Sequence, residues 1–475
     1  MKCSATIQRS PGCGMPSATS STGMRSLPGP WADAGVTRTG PAKASASSAS
    51  HRPTRSIILA SVTPQALGIG PMTDKRDLLI LGGGLVGMTL ALAAAKKGLS
   101  SHLVDRADPA SLTAEGFDGR ASAISTASWR LFRHIGLEQA LEPHGCDIAA
   151  IAVLDQMKPG RLDFRPEPHE GTLGRMFANR QLRLAVHEAA ASEPLIEWHA
   201  PVEVTARDRG EFGVSAMLGD GRVLEAALMV GAEGRGSPSR EEAGFKMASW
   251  DYSHRALIAG IDHSKPHDNV AWEIFYPEGP FALLPMLDGP DGQHRSALVW
   301  TVDEKDAAGV LKLSDRAFLA EVHKRMGDLL GELTLNSARS SWPLSFQHTA
   351  KIVDHRLALV GDSAHGMHPI AGQGLNLGLR DVGALVEVLD EALRLGLDLG
   401  DAQVLKKYEE WRALDSLMVM GATDSLTRIF GIRGKTASAL RRFGMAGIQR
   451  TSWLKGFFMN EARGVSGELP ELLKA

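Results

Sequence analysis

The sequence predicts an α/β fold in which a parallel sheet is interrupted by a mainly antiparallel insertion and closed by C-terminal helices. Three observations predict it. A strand–helix–strand unit of about thirty residues begins at Asp77. Alternating apolar and polar residues in the middle of the chain are typical of antiparallel strands. Residues 379–420 then have the apolar spacing of helices.

The first unit is a strand, a helix and a second strand. The apolar run "DLLILGGG" leads into glycines, "LVGMTLALAAAKKG" is an Ala/Leu helix that ends at Gly98, and "SSHLVDRA" is the next strand. Further strands are predicted at "ALMVGAEG" (227–234) and "RLALVGDS" (356–363). Between them, "PVEVTARD" and "SALVWTV" alternate as half-buried strands do, and "LRDVGALVEVLDEALRLG" is amphipathic.

A glycine fingerprint lies between the first strand and the first helix. Gly82, Gly84 and Gly87 have G-x-G-x-x-G spacing, and Asp105 closes the next strand 23 residues after Gly82. In this context the glycines permit a tight turn, a close approach of pyrophosphate and helix–strand packing, while Asp105 accepts hydrogen bonds from ribose hydroxyls. The pattern predicts a bound dinucleotide, either NAD or FAD. No second fingerprint of this kind follows a strand elsewhere.

A second glycine-rich stretch, "GDSAHGMHPIAGQGLNLG", covers residues 361–378. A hydrolase nucleophile elbow requires G-x-S-x-G, and the glycine that should follow Ser363 is missing. Asp362, His365 and His368 offer metal ligands, but no further ligand is evident and the downstream glycines would be unexplained. We therefore interpret the stretch as a backbone cradle for an anionic cofactor such as a reduced flavin, presented at the start of the next helix.

Composition is that of an ordinary globular protein, with 43% hydrophobic and 22% charged residues among 475. The net charge of −2 gives no support for nucleic acid binding. Three cysteines form no metal-like pair, and no run of 18 apolar residues is present. Residues 1–71 differ from the rest: they hold seven Lys/Arg against one acid and are rich in Ser, Ala, Pro and Gly. We expect a disordered extension, either a transit peptide or a mis-assigned start upstream of Met72.

On these residues the chain resembles the FAD-dependent aromatic hydroxylases (class A flavoprotein monooxygenases), and within them the ubiquinone-biosynthesis hydroxylases. The resemblance runs from about Asp77 to Leu473. It rests on "GGGLVG" with Asp105, "DGRASAIS", "NRQL", "VGAEGRGSPSR", "FYPEGPFALLPM" and residues 342–382. The "HPIAGQGLNLGL" part of the last segment is the most specific and indicates the ubiquinone branch. The implied fold is a Rossmann-like FAD-binding domain with an inserted antiparallel substrate domain.

The resemblance implies FAD contacts at eleven positions: Gly82, Gly84, Gly87, Asp105, Arg120, Arg180, Asp362, Pro369, Gly372, Gly374 and Asn376. The first four hold ADP, the two arginines contact the flavin phosphates or neighbouring atoms, Asp362 binds the ribityl chain, and the last four lie beside the isoalloxazine ring. Two residues depart from the family pattern. The family usually has Glu where Asp105 stands, and Asp where Glu233 stands in a segment that helps couple NAD(P)H to the flavin. No metal site and no secure acid–base catalyst are implied.

The implied chemistry is aromatic hydroxylation. NAD(P)H binds transiently and reduces FAD, and O₂ then gives a flavin C4a-hydroperoxide. Oxygen passes from it to the ring of a polyprenylated phenol, while the protein positions the ring and excludes water. The "GPFALLP" stretch is expected to line the substrate side of the flavin. Two alternatives remain open at this stage: hydroxylation of a small soluble aromatic compound, and a non-catalytic FAD-binding scaffold of a biosynthetic complex.

The basic C-terminal segment 425–463 suggests peripheral membrane contact. Leu440, Phe443, Gly447 and Ile448 share one helical face, Arg441 and Arg442 point elsewhere, and "WLKGFF" adds apolar bulk. A helix docked on the FAD-binding domain is the alternative. We expect a cytoplasmic protein at the inner membrane, in contact with other ubiquinone-biosynthesis proteins, or a matrix protein if residues 1–71 are a transit peptide.

The predicted domain boundaries follow these segments. After the 1–71 extension, the FAD-binding domain comprises 72–175, 176–250 and 346–420, the substrate-binding sheet 251–345, and the basic helical segment 421–475.

Overall fold

The computed structural model describes residues 75–114, 116, 119–366, 373–413, 415–416 and 434–475. Contacts divide the chain into the units Met1–Ser61 and Val62–Ala475, and all described residues belong to the second. The predicted extension 1–71 lies outside the described residues.

Twenty strands are present among the described residues. In chain order they are β1 (Arg76–Leu81), β2 (Ser101–Val104), β3 (Ala121–Ser125), β4 (Cys146–Ile148), β5 (Ala150–Asp155), β6 (Leu162–Phe164), β7 (Gly174–Ala178), β8 (Ile196–His199), β9 (Val204–Arg209), β10 (Val214–Leu218), β11 (Val223–Gly231), β12 (Met247–His263), β13 (Val270–Tyr276), β14 (Gly279–Met286), β15 (His294–Asp303), β16 (Leu333–Leu335), β17 (Ser340–Thr349), β18 (Val353–Asp354), β19 (Leu357–Leu359) and β20 (His365–Gly366).

The helices of the described residues are α1 (Leu85–Ala95), α2 (Pro109–Leu112), α3 (Thr126–His134), α4 (Glu138–Leu141), α5 (Asn179–Ser192), α6 (Pro238–Glu242), α7 (Glu304–Leu311), α8 (Asp315–Met326), α9 (Gln373–Arg394), α10 (402–413), α11 (Lys435–Arg450) and α12 (Ser452–Arg463). Short 3₁₀ turns lie at Glu142–His144, Pro168–Glu170, Gly361–Ser363 and Glu471–Leu473.

The first sheet has the strand order β18-β19-β11-β1-β2-β8, with β10 and β9 added beside β11. The five strands β19, β11, β1, β2 and β8 are parallel. Strand β1 is continuously apolar from Leu78 to Leu81 and buried, as expected of a parallel strand covered on both faces. Helix α1 is apolar on all sides, and every residue from Gly87 to Ala95 is buried. The predicted α/β class is confirmed.

The second sheet is mainly antiparallel and has the order β20-β17-β12-β15-β14-β13-β5-β6, with β16 beside β12. Only the β13–β5 pair within it is parallel. Strands β5 and β6 fall in the range 72–175 that the sequence assigned to the FAD-binding domain, yet they pair with this sheet. The boundary expected there does not match the strand pairing, because β5 joins β13, which lies more than a hundred residues later.

A small third sheet and the C-terminal helices complete the described structure. Strands β3, β7 and β4 form an antiparallel sheet of their own. At the C-terminus, α11 is anchored on the second sheet by an ion pair between Arg441 and Asp155 of β5, at 3.0 Å, and by Met445 against Leu162 and Phe275. Arg441 is therefore buried rather than directed into solvent. None of the described helices is long and apolar enough to cross a membrane.

Candidate functional site

The junction of β1 and α1 requires glycine at two positions, one in the turn and one in the first turn of the helix. Gly82 has a φ of +108°, and a Cβ there would lie 2.3 Å from the carbonyl oxygen of Ala232. A Cβ on Gly87 would lie 1.9 Å from the carbonyl oxygen of Gly82. Any side chain at either position would therefore collide with backbone, so these glycines hold the helix against the strand.

Gly84 differs from these two because it faces open space. It is the N-cap residue of α1, no side chain caps the helix, and no atom lies within 4 Å of the position that a Cβ would take. The first turn contains no acidic residue, so the positive end of the helix is open to an anion. Asp105 lies at the same turn and accepts hydrogen bonds from the backbone N–H of Gly83 (2.5 Å) and Ala107 (2.6 Å). This donor set fits the pyrophosphate and ribose of a dinucleotide.

The two glycine-rich segments of the sequence meet at one side chain. Val86, inside the first segment, abuts Gly361 and Gly378 of the second: a Cβ on these glycines would lie 3.3 Å and 2.9 Å from its methyl groups. Helices α1 and α9 also pack against each other. The structure therefore brings together two turns that are almost three hundred residues apart in the chain.

Asp362 follows β19 and lies at the carboxyl end of the parallel sheet, where such sheets bind ligands. Its carboxylate is 3.3 Å from Nε of Arg235, and the same guanidinium donates to Oγ of Ser345 at 2.7 Å. The Asp362 side chain remains 42% exposed. The sequence interpretation gave Arg235 no role, although it lies inside the quoted "VGAEGRGSPSR" segment.

Below this turn lies a fully buried carboxylate, Asp381 of α9. It accepts a hydrogen bond from the N–H of Gly361 at 2.9 Å, and it lies 2.7 Å from Nε of Arg412 and 2.8 Å from Nε2 of His365. Burial acts to raise the pKa of Asp381, but the adjacent His365 and Arg412 hold it below its usual value. This cluster fixes the backbone that presents Asp362. In the sequence, the aspartate of "GLRD" is the residue from which this buried cluster could have been predicted.

The start of α9 contributes the remaining described residues of the second segment. Asn376 is buried, and its side-chain amide makes two hydrogen bonds with the backbone of β3. Its Oδ1 accepts from the N–H of Ser125 at 2.9 Å, and its Nδ2 donates to the carbonyl of Ala123 at 2.8 Å. Gly374 is half-buried beside it. Pro369 and Gly372 lie outside the described residues, as does His368.

The two arginines of the predicted set have different surroundings. Arg120 lines the cavity described below and lies over the ring of Trp342, 5.6 Å from its centroid. Arg180 donates from Nε to the carbonyls of Thr113 (3.1 Å) and Ala114 (2.8 Å), and thus fastens the loop that follows α2.

Glu233, which departs from the family pattern, is tied to the start of α6. Its carboxylate accepts hydrogen bonds from Oγ of Ser237 (2.6 Å) and the N–H of Ser239 (3.0 Å), and pairs with Arg207 at 2.9 Å. The glutamate side chain therefore links the start of α6 to the edge strand β9.

A cavity of about 790 Å³ extends from Asp362, Gln373 and Asn376 to the inner face of the second sheet. Its walls are largely aliphatic and aromatic. Strands β5, β12, β13, β14 and β15 form one wall, and Pro280, Ala282 and Leu284 of the "GPFALLP" stretch belong to it. The far wall comes from α11 and α12 through Met445, Ile448, Phe457 and Phe458. A site of this size and shape takes an apolar organic molecule.

A group of potential metal ligands lies elsewhere, at the β2–β8 edge of the first sheet. Among the described residues, ligand atoms of His102, Glu197 and His199 lie within 4.8 Å of one another. Nδ1 of His102 is 3.1 Å from Nε2 of His199, and Arg222 lies 3.0 Å from the other nitrogen of His199. Burial lowers the pKa of His199 to about 4. These side chains satisfy one another by hydrogen bonds, and none lines the cavity.

Comparison with protein families matches residues 75–420 to the family described as FAD binding domain. Ubiquinone hydroxylase UbiL of Rhodospirillum rubrum is 43% identical over 412 residues, which cover 85% of this chain and 95% of that protein. The 3-demethoxyubiquinol 3-hydroxylase of Escherichia coli is 30% identical over 397 residues, covering 83% of this chain and all of that protein. The mitochondrial ubiquinone biosynthesis monooxygenase COQ6 of Xenopus tropicalis is 30% identical and covers 78% of this chain and 89% of that protein.

Solved structures share the fold at lower identity. The p-nitrophenol 4-monooxygenase PnpA from Pseudomonas putida superposes with a TM-score of 0.69 at 16% identity, covering 84% of this chain and all of that structure. The two structures therefore have the same arrangement of sheets.

Proposed function

This chain belongs to the FAD-dependent hydroxylases of ubiquinone biosynthesis, and from that premise we propose that it hydroxylates the aromatic ring of a polyprenylated phenol. It is an FAD-dependent aromatic monooxygenase, for which NAD(P)H as reductant is typical of the family. The single observation that carries the substrate proposal is the 790 Å³ apolar cavity that opens beside Asp362 and Asn376. A small charged aromatic acid would gain little from such walls, whereas a prenylated ring would bury apolar surface against them.

We assign the cofactor contacts as follows. The open N-terminus of α1 at Gly84 faces the pyrophosphate, Asp105 the adenosine ribose and Asp362 the ribityl chain. When bound, FAD activates O₂ for transfer to the ring. The chain itself holds the ring on the inner face of the second sheet and excludes water with α11 and α12, which keeps the activated oxygen for the substrate.

The proposed function is tested with FAD-loaded enzyme, NADH or NADPH, O₂ and a phenol that carries a short prenyl chain. Mass spectrometry should show a product with one added oxygen atom, and a deletion strain should accumulate the quinone precursor that lacks that hydroxyl. Product from a soluble aromatic acid alone would favour the small-substrate alternative. FAD that NAD(P)H leaves oxidised even with the phenol present would indicate a non-catalytic scaffold.

We further propose that α11 and α12 contact a membrane surface, from which a prenylated substrate would enter. Leu440, Phe443 and Trp453 are 71%, 78% and 74% exposed, and Arg450 and Lys455 lie on the same two helices. Exposed apolar side chains among cations are typical of interfacial helices.

Replacing Leu440, Phe443 and Trp453 with serine should abolish salt-sensitive co-sedimentation with vesicles of anionic phospholipid. Phe212→Ser is the matched control, because Phe212 is 77% exposed on the β9–β10 connection of the other sheet. Equal vesicle binding by the triple variant and the control would contradict membrane contact through these helices.

A further inference from the structure

Glu273 is an acidic side chain on the apolar wall of the cavity. It lies in the middle of β13, opposite Ala282 of β14 and Val153 of β5, and it is 8% exposed. Ala271 and Phe275 point to the same side of the strand, and all of these residues line the cavity. The carboxyl group therefore lies among apolar side chains on the wall of the cavity that we assign to the substrate.

The described residues offer this carboxyl group no hydrogen bond and no ion pair. Two other buried carboxylates in the same structure are compensated: Asp155 pairs with Arg441, and Asp381 pairs with Arg412. An unpaired carboxyl group in an apolar wall is destabilising, so the fold gains nothing from having it there. A polar atom of a ligand bound in the cavity would supply the hydrogen-bond partner that this carboxyl group lacks.

We propose that the carboxylate of Glu273 binds the ring hydroxyl of the phenol and accepts its proton during hydroxylation. This inference rests on the proposed function. The O–H bond of the phenol breaks and an O–H bond forms on Glu273. The electron pair of the broken bond stays on the phenol oxygen and delocalises onto the ring carbons ortho and para to it, which makes them more reactive toward the electrophilic oxygen that FAD supplies.

The electrostatic environment favours this role. Burial raises the pKa of Glu273 from 4.5 to about 7, so at neutral pH about half of the molecules carry a carboxylate. As a proton acceptor it is then about 300 times stronger than an ordinary glutamate, since each pKa unit is a factor of ten. A base whose pKa lies near the working pH is the effective kind for general base catalysis.

Binding and turnover of 2-nonylphenol and of its methyl ether, 2-nonylanisole, test the proposal with FAD-loaded enzyme. By calorimetry we expect the wild-type protein to bind the phenol at least about tenfold more tightly than the ether, as a hydrogen bond to a charged group requires. Glu273→Leu should lose this preference. Glu273→Gln should retain part of it, yet form hydroxylated product roughly 10²-fold more slowly, because an amide cannot accept the proton.

Glu278→Gln is the matched control, since Glu278 lies in the same β13–β14 hairpin outside the cavity lining. Variants of Glu273 that bind both compounds and hydroxylate the phenol like this control would overturn the inference. A wild-type enzyme that prefers the phenol through Glu273 but forms no product would remove the proposed function, and with it the proton transfer.

Discussion

Replacing Glu273 with glutamine keeps the shape of the side chain and removes its ionisation, which makes the free energy of unfolding a direct readout of its burial. The pKa of this group is raised from 4.5 to about 7 in the folded protein by desolvation. Well below pH 4.5 the group is protonated in both the folded and the unfolded state, and its burial then has no pH-dependent effect on stability. As the pH rises toward 7, the unfolded chain releases this proton and the folded chain retains it, so folding stability falls.

The magnitude follows from the pKa difference. The difference between a pKa of 4.5 and one of about 7 corresponds to about 3 kcal/mol at full ionisation, and most of it, about 2–3 kcal/mol, develops between pH 5 and pH 8. Over that range Glu273→Gln should gain about 2–3 kcal/mol relative to wild type. With about 2 cal/mol/K of unfolding entropy per residue over roughly 400 ordered residues, this is a relative rise in Tm of about 3 °C.

The assay compares thermal unfolding of FAD-loaded wild type, Glu273→Gln and Glu278→Gln at pH 5 and pH 8. For each variant, the difference in Tm from wild type at pH 5 is compared with the same difference at pH 8. Effects of the substitution on packing are the same at both pH values and therefore cancel. A difference between Glu273→Gln and wild type that is the same at both pH values would refute the burial of an unpaired carboxyl group.

Three further substitutions test the glycine turn before α1 and the buried carboxylate beneath Asp362. Gly84→Ala should leave the protein folded, because its Cβ meets open space, but should weaken FAD binding at least about tenfold in a fluorescence titration. Gly87→Ala should prevent folding, because its Cβ would collide with the carbonyl of Gly82. Equal behaviour of the two variants would contradict the assigned geometry. Asp381→Asn should destabilise the protein by about 2–3 kcal/mol in denaturant unfolding, since the buried Arg412 loses one of its two carboxylate partners and keeps only Asp415. A loss below about 1 kcal/mol would show that the buried pair contributes little.

The first strand and helix could be predicted because their signals are local. The run from Leu78 to Leu81 is continuously apolar, and α1 has no polar face, so both had to be buried. The domain assignment of β5 and β6 could not be predicted in this way. Strand β5 pairs with β13, which begins at Val270, and β6 pairs with β5; no local sequence pattern around Ala150 indicates these pairings.

The same distinction holds for the site. The glycine turns carry steric requirements that spacing alone reveals, whereas Arg235 acquires its contact with Asp362 only through the fold. Glu273 in "VAWEIFY" resembles a solvent-facing residue of an alternating strand. The available signal was that Ala271 and Phe275, its neighbours on that face, are apolar. The burial itself depends on cover from helices that follow residue 434.

The strand order of the first sheet has a consequence for how the chain is made on the ribosome. Strand β1 can pair with β2 after some twenty further residues have been synthesised. Its other edge pairs with β11, which ends 150 residues downstream at Gly231. At about 5–20 residues per second, that edge remains unpaired for roughly 8–30 s. Nascent chains of this protein should therefore depend on chaperones that shield a hydrophobic strand edge until the centre of the sheet is complete.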